Sequence, residues 1–199
     1  MRIISGKAGG VRLETTDSGQ LRPMLGRVRE ALFNIVRFEL PGAPVLDLFA
    51  GSGSLGLEAV SQGAAHAVLV ESEPDLVQLI EKNIDRCGFG KLTSVVHRNF
   101  FFLPMRPAPG EKLPADIVFV DPPYVFIEDP NKRDELFQIL DRMVGHWIGQ
   151  GGLVVLHHAP MAGALWPTRR FRELEKRVYG RSQLTFFQAE REHEDGSQE

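Results

Sequence analysis

VLDLFAGSGSLGLEAV, residues 45–60, decides the architecture. Its first residues form an apolar run interrupted only by Asp47, the composition of a strand covered on both faces. Glycines follow at Gly51, Gly53 and Gly56. From Ser54 to Gln62 the pattern predicts a helix, which Gly63 stops. A buried strand, a glycine turn and a helix make the opening unit of a sheet whose strands alternate with helices.

The rest of the chain repeats that alternation. AVLVE, residues 67–71, reads as a second strand. Ser72-Glu73-Pro74-Asp75 carries helix-start chemistry, with Ser as cap, early acids and Pro in the first turn. That helix is expected to run to Cys87, with Leu76, Val77, Leu79, Ile80 and Ile84 inward, and to end at Gly88. TSVVH and DIVFVD (116–121) are the third and fourth strands. Asp134 to Trp147 reads as helix, and GLVVLH after Gly151-Gly152 as the fifth strand. Runs at Arg172–Tyr179 and Ser182–Ala189 meet at Gly180, a hairpin signal. Upstream, RIISGKAGGVRLETT reads as a hairpin about Gly9-Gly10. A helix from Leu25 to Leu40 follows it, stopped by Pro41-Gly42. The expected fold is α/β, a doubly wound, mostly parallel sheet closed by an antiparallel strand. Residues 1–42 would form an N-terminal extension, 43–190 the main domain and 191–199 a polar tail.

Composition excludes several classes. The chain has 199 residues, 43% of them hydrophobic, enough for one domain with a sizeable core. The net charge of -3 announces no nucleic-acid partner in bulk, so any basic footprint must be local. No apolar run approaches the roughly 20 residues of a membrane span. The single cysteine, Cys87, rules out an internal disulfide. It has no Cys partner for a zinc site, reads as a buried helix residue, and no metal is expected. With no apolar segment at the N-terminus, a reducing, cytoplasmic setting and a monomer are expected.

Ligands of such sheets sit at the carboxyl ends of the strands. GSGSLG fits a nucleotide-binding turn, although the same glycines would serve tight strand-to-helix packing alone. Asp47, a carboxylate in an apolar strand, needs donors and would organise the loop. Glu71 ends the second strand about twenty residues on, where an acid accepts hydrogen bonds from ribose hydroxyls. Together they argue for an adenosine-bearing cofactor, NAD or S-adenosylmethionine. The fourth strand ends in DPPY, Asp121 to Tyr124. Pro122 and Pro123 have fixed φ and no N–H, which forces an extended loop rich in free acceptors. The Asp121 carboxylate and the Pro122 carbonyl suit the two N–H groups of an exocyclic amine on a flat base, and Tyr124 offers a stacking face. A hydride-transfer enzyme has no use for such a loop. The motif resembles that of S-adenosylmethionine-dependent amino methyltransferases.

With RIISGKAGGVRL, LRP, RVREALFNIV and KRVYGRSQLTFF added, nearly the whole chain resembles the bacterial 16S rRNA guanine-N2 methyltransferases of the small ribosomal subunit. The resemblance implies a Rossmann-like class I methyltransferase with seven strands, the last antiparallel. It implies S-adenosylmethionine as methyl donor and a guanine in 16S rRNA as acceptor, presented on an assembling or assembled small subunit. Asp47, Phe49, Gly51, Ser52, Gly53 and Glu71 would line the cofactor, with Asn99 and Phe100 at its adenine, and Asp121, Pro122, Pro123 and Tyr124 would hold the target base. The family usually has Thr where Met24 follows LRP, and Asp where Asn99 stands; an Asn Oδ1 accepts the same amine hydrogen bond. Phe100-Phe101-Phe102 would equally serve as plain core. Arg2, Lys7, Arg12, Arg22 and Arg29, with a second basic group at residues 169–181, would contact phosphates. The alternatives are adenine-N6 or cytosine-N4 methylation, a NAD-binding oxidoreductase, and an RNA-binding protein without catalysis.

Overall fold

The computed structural model describes residues 1–15, 24–161 and 170–190. A seven-stranded sheet forms its centre. Five strands are β1 (Pro44–Leu48), β2 (His66–Glu71), β3 (Thr93–His97), β4 (Ala115–Val120) and β5 (Ile148–His158); β6 (Phe171–Tyr179) and β7 (Ser182–Ala189) complete it. Their order is β3-β2-β1-β4-β5-β7-β6, with β7 antiparallel to both neighbours and the remaining pairs parallel. The helices are α1 (Gly26–Val36), α2 (Ser54–Ser61), α3 (Pro74–Cys87), α4 (Val125–Glu128) and α5 (Pro130–Met143).

Side chains alternate across each strand, and the two faces of the sheet build two cores. Val45, Ala67, Leu69, Ile117, Phe119 and Val155 pack with α1, α2 and the N-terminal segment, including a Phe33–Phe119 ring contact at 5.6 Å. Leu46, Leu48, Val68, Val70, Val118, Val120 and Leu156 pack with α5 and Trp147. Asp47 occupies a first-face position, under α2.

Several expected boundaries move, each for a local reason. Helix α5 starts at Pro130 rather than Asp134, because Asp129 caps it, accepting from Asn131 N at 2.9 Å and Lys132 N at 3.3 Å. It ends at Met143 rather than Trp147. Strand β5 runs through Gly151-Gly152, and its pairing with β4 shifts register between Ala115 and Ile117. Helix α1 is shorter than expected, ending at Val36. Ser72 does not cap α3: the cap position is Glu73, and its side chain makes no cap bond. Cys87 is half-buried rather than buried.

The N-terminal stretch folds back about Gly9-Gly10, but forms only one β-bridge, Arg2 to Arg12, in place of two regular strands. What holds it is α2. Glu58, with no exposed surface, accepts from Ile4 N at 2.7 Å and Ser5 N at 3.1 Å. Ser61 O accepts from Lys7 N at 2.8 Å and Ser61 Oγ from Ala8 N at 3.0 Å. Ile3, Ala8 and Leu13 enter the same core as α2. Gly6 lies so close that an added Cβ would stand 1.9 Å from Ser61 O. Asn83 of α3, also fully buried, fastens the far end. It accepts from Glu14 N at 2.8 Å and donates to Glu14 O at 3.1 Å and to Ser52 O at 3.0 Å. Arg86 pairs with Glu14 beside it.

Candidate active site

Register brings three strand ends level. Leu48 lies opposite both Val70 and Val120, so the loops after β1, β2 and β4 leave the sheet along one edge. The order reverses between β1 and β4, the switch point where crevices form in such sheets. A cavity of about 710 Å³ opens there. Asp47, Phe49, Gly51, Ser52, Glu71, Asn99 and Phe100 line it, and so do Asp121, Pro122, Pro123 and Tyr124. The glycine turn and the DPPY loop therefore share one space. Gly53 does not reach the cavity wall.

The loop after β1 turns sharply. Phe49 has φ 63°, rare for a side-chain-bearing residue, and Gly51 and Gly53 have φ 58° and 77°. Strain of this kind persists only where neighbours hold it. Glu71 is such a neighbour. Its Oε2 accepts from Gly51 N at 2.7 Å, and its Oε1 from Ser72 N at 2.7 Å and Glu73 N at 3.0 Å. Glu71 thus braces the turn, and its carboxylate retains acceptor capacity toward the cavity. Gly53 caps α2 and packs inward, where an added Cβ would stand 3.1 Å from the Leu69 side chain.

Asp47 is 1% exposed. Its Oδ2 accepts from Gly56 N at 2.8 Å, serving the first turn of α2 from a neighbouring strand, while Oδ1 has no partner. Burial pushes its carboxyl up to about 8; the Gly56 hydrogen bond opposes the rise, and Asp121 and Glu71 add to it. An unfolded Asp releases its proton near pH 4. Between these values the folded chain binds the extra proton, so this group lowers stability as pH climbs from about 4 to 8. Asp47→Asn removes that slope while keeping an acceptor for Gly56. Urea unfolding at pH 4.5 and pH 8 should show the variant gaining on wild type at the higher pH, by about 1 kcal/mol or more. A gap that stays constant between the two would mean that folding does not raise the Asp47 carboxyl.

One wall of the cavity is aromatic. Phe49 meets Phe100 at 4.9 Å and Phe126 at 6.0 Å, and Phe101 meets Phe100 at 5.3 Å and Phe126 at 5.0 Å. Of the Phe triplet, Phe100 is buried and Phe102 is 78% exposed, so plain core describes only part of it. Asn99 Oδ1 accepts from Phe101 N at 2.9 Å and caps the 3-10 turn Phe100–Phe102, which leaves one lone pair on that oxygen. Met24 lines the cavity and is buried.

The DPPY loop is less free than the two prolines suggest. It enters α4 at once: Pro123 O accepts from Phe126 N, and Tyr124 O from Ile127 N and Glu128 N, each at 2.9 Å. The Pro122 carbonyl stands outside those three bonds. Asp121 Oδ1 meets His157 Nδ1 at 2.6 Å, and the Tyr124 ring stands edge-on to His157 at 6.2 Å.

A family model described as conserved hypothetical protein 95 matches residues 1–188. The chain belongs to that family. It is 42% identical over 124 residues to ribosomal RNA small subunit methyltransferase D of Escherichia coli strain K12, over 62% of this chain and 60% of that protein. The match therefore spans less than two thirds of that relative's length. It is 30% identical over 158 residues to putative rRNA methyltransferase YlbH of Bacillus subtilis, covering 79% of this chain and 82% of the relative. Among solved structures, a putative methyltransferase from Escherichia coli superposes with a TM-score of 0.77 at 32% identity, over 96% of this chain and 98% of that one. The Rossmann-like α/β fold with seven strands is thus the fold of this conserved hypothetical protein 95 family member.

Within this family member, the expected phosphate contacts fare unevenly. Arg2, Lys7 and Arg12 are exposed, and Arg22 lies outside the described residues. Arg29 is 4% exposed; its guanidinium donates to Arg2 O, and burial lowers its pKa against the raising effect of Glu58. It holds the N-terminal segment and is removed from the surface set. The Arg27 guanidinium approaches the turn between β6 and β7, 3.2 Å from where a Cβ on Gly180 would stand. Part of the second group is already paired, Lys176 with Glu173 at 3.0 Å and Arg177 with Glu175 at 2.6 Å. Sequence reasoning missed Arg98, Leu76, Phe101 and Phe126 in the cavity wall, and His157 behind it. Among the described residues, no helix is long and apolar enough to cross a membrane, and no cluster of metal-ligating side chains gathers.

Proposed function

We propose that this chain transfers a methyl group from S-adenosylmethionine to the exocyclic N2 of a guanine in 16S rRNA. The observation that carries this is the single cavity shared by the glycine turn, Glu71 and the DPPY loop. One relative's name points to ribosomal RNA of the small subunit and the other's to rRNA.

The residues present fit the donor. When bound, S-adenosylmethionine supplies an electrophilic methyl on a sulfonium. Asp47 Oδ1, buried and unpartnered, suits its ammonium group, and a cation there favours the ionised carboxylate. Glu71 takes the ribose hydroxyls. Asn99 and the phenylalanine wall take the adenine. On the other side, Asp121 and the Pro122 carbonyl accept the two N–H groups of the guanine amine, and Tyr124 stacks on the flipped base. These bonds draw the nitrogen lone pair out of the ring and toward the methyl. Positioning dominates, and effective molarity supplies about 7–11 kcal/mol. No strong base is needed, because the amine proton leaves after the C–N bond forms, when the nitrogen is acidic.

Phosphate contacts fall to the exposed Arg2, Lys7 and Arg12. Residues 1–42 serve rRNA recognition and 43–190 catalysis, in a monomer acting in the cytoplasm on a small-subunit particle. Nucleoside mass analysis of 16S rRNA from a strain lacking the gene tests this. We expect one N2-methylguanosine to vanish and to return when the protein and labelled S-adenosylmethionine are added. Loss of N6-methyladenosine or N4-methylcytidine in its place would reassign the base.

A further inference from the structure

His157 lies at the end of β5, one residue beyond Leu156, which pairs with Val120 of β4. Register therefore sets it beside Asp121, the residue that follows β4. The residue is 3% exposed and lies outside the cavity lining. Nδ1 stands 2.6 Å from Asp121 Oδ1. Nε2 is buried with no partner. The Tyr124 ring closes over it edge-on.

A carboxylate oxygen offers only acceptors, so at this distance Nδ1 must carry the hydrogen. A bare Nε2 leaves an unpaired acceptor, whereas an Nε2–H would leave an unpaired donor and, with Nδ1–H, a buried charge. The neighbouring His158 obeys a different arrangement: its Nδ1 meets Ala159 O at 2.7 Å and its Nε2 meets Thr185 Oγ1 at 2.9 Å. Its partners are the backbone and Thr185 rather than the Asp121 carboxylate, so the two histidines have separate tasks.

We infer that His157 is a positioning residue for the target amine, holding Asp121 by an Nδ1–H bond to Oδ1 so that Oδ2 is the oxygen presented to the substrate. A carboxylate free to rotate about χ2 would present either oxygen at a range of angles. With Oδ1 engaged, one acceptor faces the cavity at a fixed angle. Together with the Pro122 carbonyl it defines the plane and spacing that an exocyclic amine must match. Tyr124, resting against the same imidazole, places the stacking face relative to that plane. The catalytic contacts remain those of Asp121 and Pro122; His157 acts through Asp121.

This inference rests on the proposed methylation, and the tests separate the two. Nitrogen-15 imidazole spectra of the wild-type protein need no substrate. They should show His157 protonated at Nδ1 and bare at Nε2; a proton on Nε2 alone overturns the inference. In turnover, His157→Leu fills the space without a donor. It should lower kcat by about tenfold to thirtyfold, with KM for S-adenosylmethionine unchanged. His157→Asn, whose amide can donate from the Nδ1 position, should recover most of that loss. Equal turnover in wild type and His157→Leu, or no recovery in His157→Asn, overturns it too. Should the Leu variant fail to fold, the spectra and the Asn variant still decide. A wild-type protein that methylates no guanine would instead defeat the proposed function and leave the spectra valid.

Discussion

Asp121→Ala is expected to lower methyl transfer by about 10²–10³-fold, the scale of removing one preorganised polar contact to a reacting group. Its affinity for S-adenosylmethionine should stay within roughly threefold, because the donor's proposed contacts come from the ends of β1, β2 and β3. The loss should fall on kcat rather than on cofactor binding, since the hydrogen bond to the amine strengthens as the nitrogen becomes pyramidal. The loop itself should survive the change. Pro122 and Pro123 fix their own φ angles, and α4 ties down Pro123 O and Tyr124 O from its own first turn. Single-turnover methylation beside a calorimetric titration makes the comparison. Wild-type turnover in this variant would remove Asp121 from the chemistry.

Glu71→Ala should do the reverse. It strips acceptors from Gly51 N, Ser72 N and Glu73 N in one step, and it deletes the acceptor proposed for the ribose hydroxyls. Hydrogen bonds to a charged group are worth about 1.5–3 kcal/mol each. Loss of even two such contacts in the bound state corresponds to roughly a 10²-fold or greater rise in the dissociation constant. Glu71→Gln keeps one oxygen acceptor and should fall between. Titration with S-adenosylmethionine reads the effect directly. A dissociation constant within threefold of wild type would mean that Glu71 only braces the turn.

The sheet was legible in the sequence because its strands are covered on both faces. LDLF, AVLVE and DIVFV leave no polar side for a helix or loop to use, and the glycine and proline punctuation separates them. The cavity was legible for a related reason: Asp47, Glu71 and Asp121 are carboxylates at the tips of apolar strands, and burial makes such positions conspicuous. His157 was not, since LVVLHH reads as an ordinary strand end until register sets Leu156 against Val120. The helix start at Pro130 was hidden because EDPNKRDE is polar throughout, and only the Asp129 cap reveals it. Arg29 misled for the opposite reason. A cluster of arginines looks like a solvated surface, yet α1 turns this one under residues 1–15. Glu58 was missed likewise, as a glutamate in an amphipathic stretch is ordinarily outward. Here it is the buried acceptor for two backbone N–H groups of another segment.

Asn83 is a clasp shared by two segments, with Glu14 on one side and Ser52 on the other. The leading residues and the turn proposed to hold the methyl donor are thereby parts of one mechanical piece. A partner pressing on the first fifteen residues would push, through Asn83 and the bonds to α2, on the floor of the proposed donor site. Trimming the leader to obtain a minimal enzyme would discard one of the bolts that hold that floor.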